Sequence, residues 1–263
     1  MVAASLVGFS FSVAGLLFPY HIGVSSVLKE SDELTNLTPI NGASGGALAA
    51  CCLAGGLSDE VSLATCQKVA DRCNAEGAFL NLGKILREEL NDLVDEELLR
   101  SVNERPGSCE FSYTSLNSPL NLQPRRPSQP FKSRENLIDV LCASSHIPLY
   151  SSIIPFVKVN NELGADGFLS SPDTLGMKPT SADTTIFVTP FSLYQSMDTT
   201  NPDPNPTLIA PLKEEIPFSS AEYVNLALGR PGPSPSDQEK LLNLGKYCAE
   251  RWLENYKNYK NNQ

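Results

Sequence analysis

Gly42-Ala43-Ser44-Gly45-Gly46 matches G-x-S-x-G and lies between a short run at 37–41 and an Ala-, Leu- and Cys-rich run at 45–53. The first run predicts a strand and the second a helix, so the pentapeptide predicts a sharp strand-to-helix turn. Gly42 and Gly46 form the elbow of that turn, whose small neighbours leave room for it and hold the Ser44 hydroxyl out at a helix N-terminus. A serine presented in this way is a candidate nucleophile. The pentapeptide alone fits a plain tight turn equally well, so the flanking chain has to supply the rest of a site.

Upstream, residues 4–11 predict a buried strand, 12–19 a small-residue loop, and 20–31 a helix with Pro19 near its start, where a fixed φ and a missing N–H cost little. The first charged residue is Lys29, yet no basic leader is present, and Ser5, Gly8, Ser10, Ser12, Gly15, Pro19 and Gly23 interrupt the apolar run. Neither a secretory signal nor a transmembrane helix is therefore expected, and a cytoplasmic setting is. Downstream, 58–103 is mostly helical in pattern, with breaks at Gly77 and Gly83. A strand is expected at 110–115, a helix capped by Ser133 through 143, and strands at 156–163 and 185–189. Prolines 202, 204, 206, 211 and 217 predict a stiff loop or flap at 201–217. Ser236 and Glu239 form a capping-box pair that opens a last helix over about 236–258. On that helix Leu241, Leu244, Cys248, Trp252, Tyr256 and Tyr259 recur at helical spacing and are expected to face the core.

With 263 residues, 41% of them apolar, the chain can bury a sizeable core, and no linker divides it, so one domain over 1–263 is expected. Twenty basic against 30 acidic side chains give −10, which argues against a nucleic-acid binder, since that affinity rests on cationic contacts to phosphate. Arg125, Arg126, Lys132 and Arg134 form a local basic cluster, either a solvated flank or a contact for headgroups. Seven cysteines without a C-x-x-C pair suggest reduced thiols rather than a disulfide framework or a zinc ribbon. Two histidines, His21 and His146, rule out a two-His helical zinc motif and leave few bases for a serine.

Two candidates remain for that base. His146 follows Ser44 in the order usual for a Ser-acid-His hydrolase, although no particular acid stands out to orient it. Asp166, in Gly164-Ala165-Asp166-Gly167, follows a strand-like run, and its loop would present a carboxylate at the strand end. An ordinary aspartate near 3.9 is a weak base, so a direct Ser-Asp dyad requires desolvation and strong oxyanion stabilisation. The loop around Ala14 and Gly15 offers the second, because a loop entering a helix N-terminus points free N–H groups outward.

Taken in order, Ser10-Phe11-Ser12-Val13-Ala14-Gly15-Leu16-Leu17-Phe18-Pro19-Tyr20-His21-Ile22-Gly23, Gly42-Ala43-Ser44-Gly45-Gly46-Ala47-Leu48, Phe131-Lys132-Ser133-Arg134-Glu135-Asn136-Leu137-Ile138, Ser145-His146-Ile147-Pro148-Leu149-Tyr150-Ser151, Asp166-Gly167 and Val188-Thr189-Pro190-Phe191-Ser192 resemble a patatin-like phospholipase domain. Within that family they are most similar to the adipose triglyceride lipase branch. The resemblance implies an α/β fold, a three-layer α/β/α sandwich with a mostly parallel central sheet. It implies a lipase or phospholipase in which Ser44 is the nucleophile and Asp166 the base, Gly167 completes the dyad loop, and the Ala14 and Gly15 amides form the oxyanion hole. It also makes His21 structural. Chemistry through an acyl-enzyme asks for no metal and no organic cofactor. The implied substrates are triacylglycerol or phospholipid esters, met by transient association with a lipid droplet or membrane surface, and a protein co-activator is left open. Two positions depart from the family. Where the branch has G-x-G-x-x-G, this chain has Val13, Gly15 and Phe18, and Phe168 stands where Gly or Ala is usual. They motivate the alternative expectation, a catalytically silent lipid-binding or regulatory protein that keeps the fold.

Overall fold

The computed structural model describes residues 6–118, 121–192 and 206–261, apart from the side chains of 117–118 and 258–261. Strand β1 (Val7–Phe11) leads through a 3-10 turn at Gly15–Leu17 into α1 (Phe18–Glu30), which starts two residues earlier than expected, with Pro19 in its first turn. Strand β2 (Ile40–Ala43) passes through Ser44 directly into α2 (Gly45–Ala54). Helices α3 (Asp59–Glu76), α4 (Leu82–Leu93) and α5 (Glu96–Glu104) follow. The Ser58 and Asp95 side chains cap α3 and α5 by accepting from Val61 N–H and Leu98 N–H, satisfying donors that a helix start leaves free. Gly77 ends α3 as expected, but Gly83 is not a break: it lies in the first turn of α4, against the Ser151 carbonyl.

The middle of the chain is richer in strands than its pattern suggested. Strand β3 (Cys109–Ser118) turns back as β4 (Asn121–Arg125), and α6 (Arg134–Ser144) is capped by Ser133. The single strand expected at 156–163 is a hairpin, β5 (Val157–Val159) and β6 (Glu162–Asp166). Asn160 and Asn161 form its turn at φ +47° and +66°, a conformation asparagine tolerates better than most residues. Next come β7 (Thr184–Val188), β8 (Leu208–Ile209), α7 (Ser220–Leu228) and α8 (Pro235–Asn261).

Residues 201–205 of the proline-rich segment lie outside the described residues. The remainder is pinned rather than free: β8 pairs with β7, Trp252 Nε1–H donates to Pro206 C=O (2.9 Å), and Arg251 donates to Ala210 C=O (2.7 Å). The cap of α8 also differs from expectation. Ser234 and Asp237 exchange the capping bonds, which puts Pro235 at the first helical position, where it is best tolerated.

The sheet runs β5-β6-β3-β2-β1-β7-β8, with β4 also on β3. The β3-β2-β1-β7-β8 pairs are parallel, and β4, β5 and β6 join antiparallel. The expected mostly parallel α/β/α layering is present but uneven, because the register places opposite chemistry on the two faces. Phe9, Ile40, Cys109 and Ile186 share one face with Phe11, Phe111 and Val188, and that face joins α1, α2, α6 and α8 in the main core. On the opposite face Ser10 Oγ donates to Asn41 Oδ1 (3.3 Å) and Asn41 Nδ2 donates to Ser112 Oγ (3.1 Å). That polar ladder is covered by the 171–182 segment, whose Lys178 N–H donates to Ser10 Oγ (3.1 Å). Helices α1 and α8 cross so closely that a Cβ on Gly23 would lie 2.1 Å from Leu242 C=O, and one on Gly245 2.1 Å from Tyr20 C=O. Over the described part of α8, the expected stripe from Leu241 through Tyr256 is buried, and Tyr259 lies outside the described side chains.

Candidate active site

The polypeptide reaches the site four times: after β1, at the β2-α2 junction, at the end of α6 and at the end of β6. At the second of these, Ser44 holds φ +55°, ψ −126°, a combination that steric contact reserves almost entirely for glycine. The conformation persists because the surroundings leave no alternative. A Cβ on Gly42 would lie 2.2 Å from Gly46 C=O, and one on Gly46 would lie 2.4 Å from both Phe11 C=O and Ser12 C=O, so the elbow is pressed into the loop after β1. Ser44 N–H is held from the other side by Ser144 Oγ (2.9 Å), whose own proton goes to Ser112 C=O (2.6 Å).

Asp166 ends β6 with its side chain buried. Its N–H donates to His146 C=O (2.8 Å), its C=O accepts from Thr114 Oγ1 (2.8 Å), and Oδ1 accepts from Phe168 N–H (2.9 Å). The Ser44 hydroxyl is near enough to the same carboxylate to pull its pKa down. Burial raises the Asp166 pKa to about 6, against the opposing pull of the Phe168 amide and the Ser44 hydroxyl. The structure therefore brings Ser44 and Asp166 together and gives the aspartate the desolvation that a direct dyad requires. Gly167 is buried against Ser112 C=O and the Ala43 methyl, so nothing larger fits between the Asp166 loop and the elbow strand.

The loop after β1 lies against the start of α2. A Cβ on Gly45 would fall 2.8 Å from Gly15 C=O and 3.0 Å from both Gly15 N and the Ala14 methyl. Gly15 itself sits at φ +53° with Ala227 C=O 2.0 Å from where its Cβ would be, so this one glycine of the loop is required by conformation and by space together. Val13, the first departure, donates its N–H to Leu175 C=O (3.0 Å) and so takes no part in an oxyanion site. Phe168, the second, donates its amide to Asp166 Oδ1 (2.9 Å), and the residue is 39% exposed.

Neither histidine faces Ser44. His21 is buried, with Nε2–H donating to Ser12 C=O (3.0 Å), and it ties α1 to the loop after β1. Burial lowers its pKa to about 4, so it stays neutral. The His146 ring bonds Ile154 C=O (2.9 Å), which removes it as a base for Ser44, while its backbone carbonyl positions Asp166. Ser144 and the His146 carbonyl, which hold Ser44 and Asp166 by their backbones, are the parts that the sequence did not single out. The basic cluster divides as well: Arg125 pairs with Glu162, Arg126 with Glu110, and Arg134 donates to the Val94 and Asn91 carbonyls.

An apolar cavity of about 60 Å³ is lined by Gly15, Leu16, Leu48, Cys52, Val69 and Leu90 among others. All seven cysteines are free thiols, and burial raises the pKa of those on α2 and of Cys66. Among the described residues no cluster of His, Cys, Asp or Glu is arranged to hold a metal, and no helix is long and apolar enough to cross a membrane.

The fold has counterparts in known proteins. The chain superimposes on VipD from Legionella pneumophila with a TM-score of 0.62 at 13% identity, covering 97% of this chain and 68% of that one, a likeness of fold alone. It is 26% identical over 266 residues to human patatin-like phospholipase domain-containing protein 4, covering 94% of this chain and 99% of the relative. It is 28% identical over 189 residues to mouse 1-acylglycerol-3-phosphate O-acyltransferase Pnpla3, covering 69% of this chain and 43% of that protein's length. The family profile described as patatin-like phospholipase matches residues 9–176, a span that holds the loop after β1, the Ser44 elbow and Asp166, and the chain belongs to that family.

Proposed function

We propose that this chain is a serine acyl-ester hydrolase of lipids, of the lipase or phospholipase type, that works through a Ser44-Asp166 dyad. The observation that carries the proposal is a serine held on a strained elbow beside a buried carboxylate, whose pKa burial raises to about 6 and the Ser44 hydroxyl pulls down. Above that pH the Asp166 carboxylate accepts the Ser44 proton as the oxygen attacks the ester carbonyl. The developing oxyanion is met by N–H groups of the Ala14-Gly15 loop, aided by the dipole of α2. Collapse expels the alcohol with the proton from Asp166 and leaves an acyl-Ser44 ester. Water then repeats the sequence, giving up its proton to Asp166, and releases the fatty acid. The apolar cavity has Gly15 of the oxyanion loop in its lining, which supports a place for acyl carbon next to that loop.

The same acyl-enzyme serves acyl transfer when a lipid hydroxyl replaces water, the reaction named for the mouse relative. The test is hydrolysis of a short-chain nitrophenyl ester by wild type, Ser44→Ala and Asp166→Asn. Loss of roughly a thousandfold or more in each variant is expected. Full activity in either one contradicts the dyad, and no turnover by wild type favours the silent lipid-binding protein. Adding a lysophospholipid acceptor to the wild-type assay separates transfer from hydrolysis by the acylated product.

A further inference from the structure

Two loops beside the dyad display large apolar side chains to solvent. Phe79, Leu149, Ile153 and Ile154 are 54%, 60%, 76% and 63% exposed, and Leu80 is 38% exposed. Although these residues come from distant parts of the chain, they form one face. Leu80 N–H donates to Tyr150 C=O (2.6 Å), Gly83 N–H donates to Ser151 C=O (2.8 Å), and the Phe79 ring meets Tyr150 edge-on at 5.9 Å. Leu80 and Leu149 hold φ +65° and +58°, where asparagine or glycine would be less strained. Apolar bulk at such positions does not serve the loop conformation, and it buries little within the chain. It suits contact with something outside.

The rim of this face has a charge opposite to that of the whole chain. The Arg230 guanidinium lies over the Phe79 and Tyr150 rings at 5.0 and 4.5 Å. Behind Ile154 a cavity of about 440 Å³ is lined by Lys84, Arg87, Lys158, Ser152 and His146. Among the described residues, the acidic groups paired with these cations are Glu76, 3.8 Å from Lys84, and Asp139, with Arg87. The surroundings are thus cationic on a chain whose net charge is −10. The face is also wired to the dyad: the His146 ring bonds Ile154 C=O and the His146 carbonyl holds Asp166 N–H.

We propose that Phe79, Leu80, Leu149, Ile153 and Ile154 are the face by which the chain adsorbs to a phospholipid-coated surface. The apolar side chains enter the boundary between headgroups and acyl chains, and Arg230, Lys84 and Lys158 meet headgroup phosphates. The proposal takes its biological sense from the reading of the neighbouring site as a lipid esterase, and adsorption is measured separately from turnover. The experiment uses the full chain carrying Leu149→Asn and Ile153→Glu, both outside the dyad, with Asn chosen because it tolerates positive φ. Partitioning onto phosphatidylcholine vesicles containing one-fifth phosphatidylserine is followed by flotation, and nitrophenyl ester hydrolysis is followed in the absence of vesicles.

Wild type is expected to float, and the variant's partition coefficient to fall about tenfold or more with hydrolysis of the soluble ester unchanged. Equal flotation of the two proteins, or no flotation of wild type, overturns the proposal whatever the esterase assay gives. A wild-type dimer that the variant loses, seen by sedimentation without lipid, identifies a second copy of the chain as the occupant and also overturns it. Flotation without turnover by wild type leaves the adsorbing face standing and counts against the esterase.

Discussion

Asp166 combines two costs that a protein core normally avoids, burial of a carboxylate and ionisation of it at neutral pH. Its folded pKa of about 6 exceeds the ordinary 3.8, so the folded state binds this proton more tightly than the unfolded chain does. The associated stability is complete below about pH 4 and is lost as pH rises through about 6, a loss of about 3 kcal/mol for a shift of about two units. Asp166→Asn keeps an acceptor for Phe168 N–H and carries no charge. It should therefore melt higher than wild type at pH 7.5, with the difference vanishing below pH 4. Thermal melts across that range, with His21 common to both proteins, check the sign. The same group sets the expected rate profile, kcat/KM rising with pH to a plateau above about 6. A rate that stays flat between pH 5 and 8 contradicts Asp166 as the base. At Ser144 a hydroxyl connects Ser44 N–H to Ser112 C=O, and Ser144→Ala leaves both backbone groups buried without that partner. A loss of about 1–3 kcal/mol in denaturant unfolding is expected, with a fall in kcat larger than any change in KM.

At the scale of elements, the site depends on how closely the loop after β1 approaches the start of α2. Gly15→Ala places a methyl 2.0 Å from Ala227 C=O at φ +53°, so the loop has to move. The expected result is a loss of roughly a hundredfold to a thousandfold in kcat, the cost of a misplaced oxyanion donor, measured with the nitrophenyl ester. Much of this element-level arrangement was legible in the chain. Gly42-Ala43-Ser44-Gly45-Gly46 marks a strand-to-helix junction because its small side chains leave room for a sharp turn and the runs on either side read as a strand and a helix, both of which the fold buries. The β5-β6 hairpin was harder to see because Asn160-Asn161 interrupts the strand pattern without a glycine. The cap of α8 was misplaced by two residues because Ser234 and Ser236 offer the same local chemistry, and only Pro235 between them separates the two choices. Ser144 and the His146 carbonyl had no local signature, since their roles arise from where the end of α6 meets β2 and β6.

At the scale of the whole molecule, α8 holds α1 in place, and α1 holds the loop after β1 through His21 and Ser12. Gly245→Val introduces bulk where Tyr20 C=O is 2.1 Å from a Cβ position, and it should cost about 1–3 kcal/mol or more. Because the strain is passed along α1, the esterase activity of the folded fraction should fall as well, read by comparing activity with the folded population at each denaturant concentration. Ser44 and Asp166 lie 122 positions apart, and groups that hold them lie on β3 and at the end of α6, so only the assembled sheet brings the proposed dyad together. The most direct test of that assembly is the rate and place of labelling by a fluorophosphonate, read by intact mass and peptide mapping at pH 7.5. One adduct on Ser44 is expected, its formation slowed roughly a hundredfold or more by Asp166→Asn. An adduct on another residue, or an unchanged rate in Asp166→Asn, contradicts a nucleophile at Ser44 activated by Asp166.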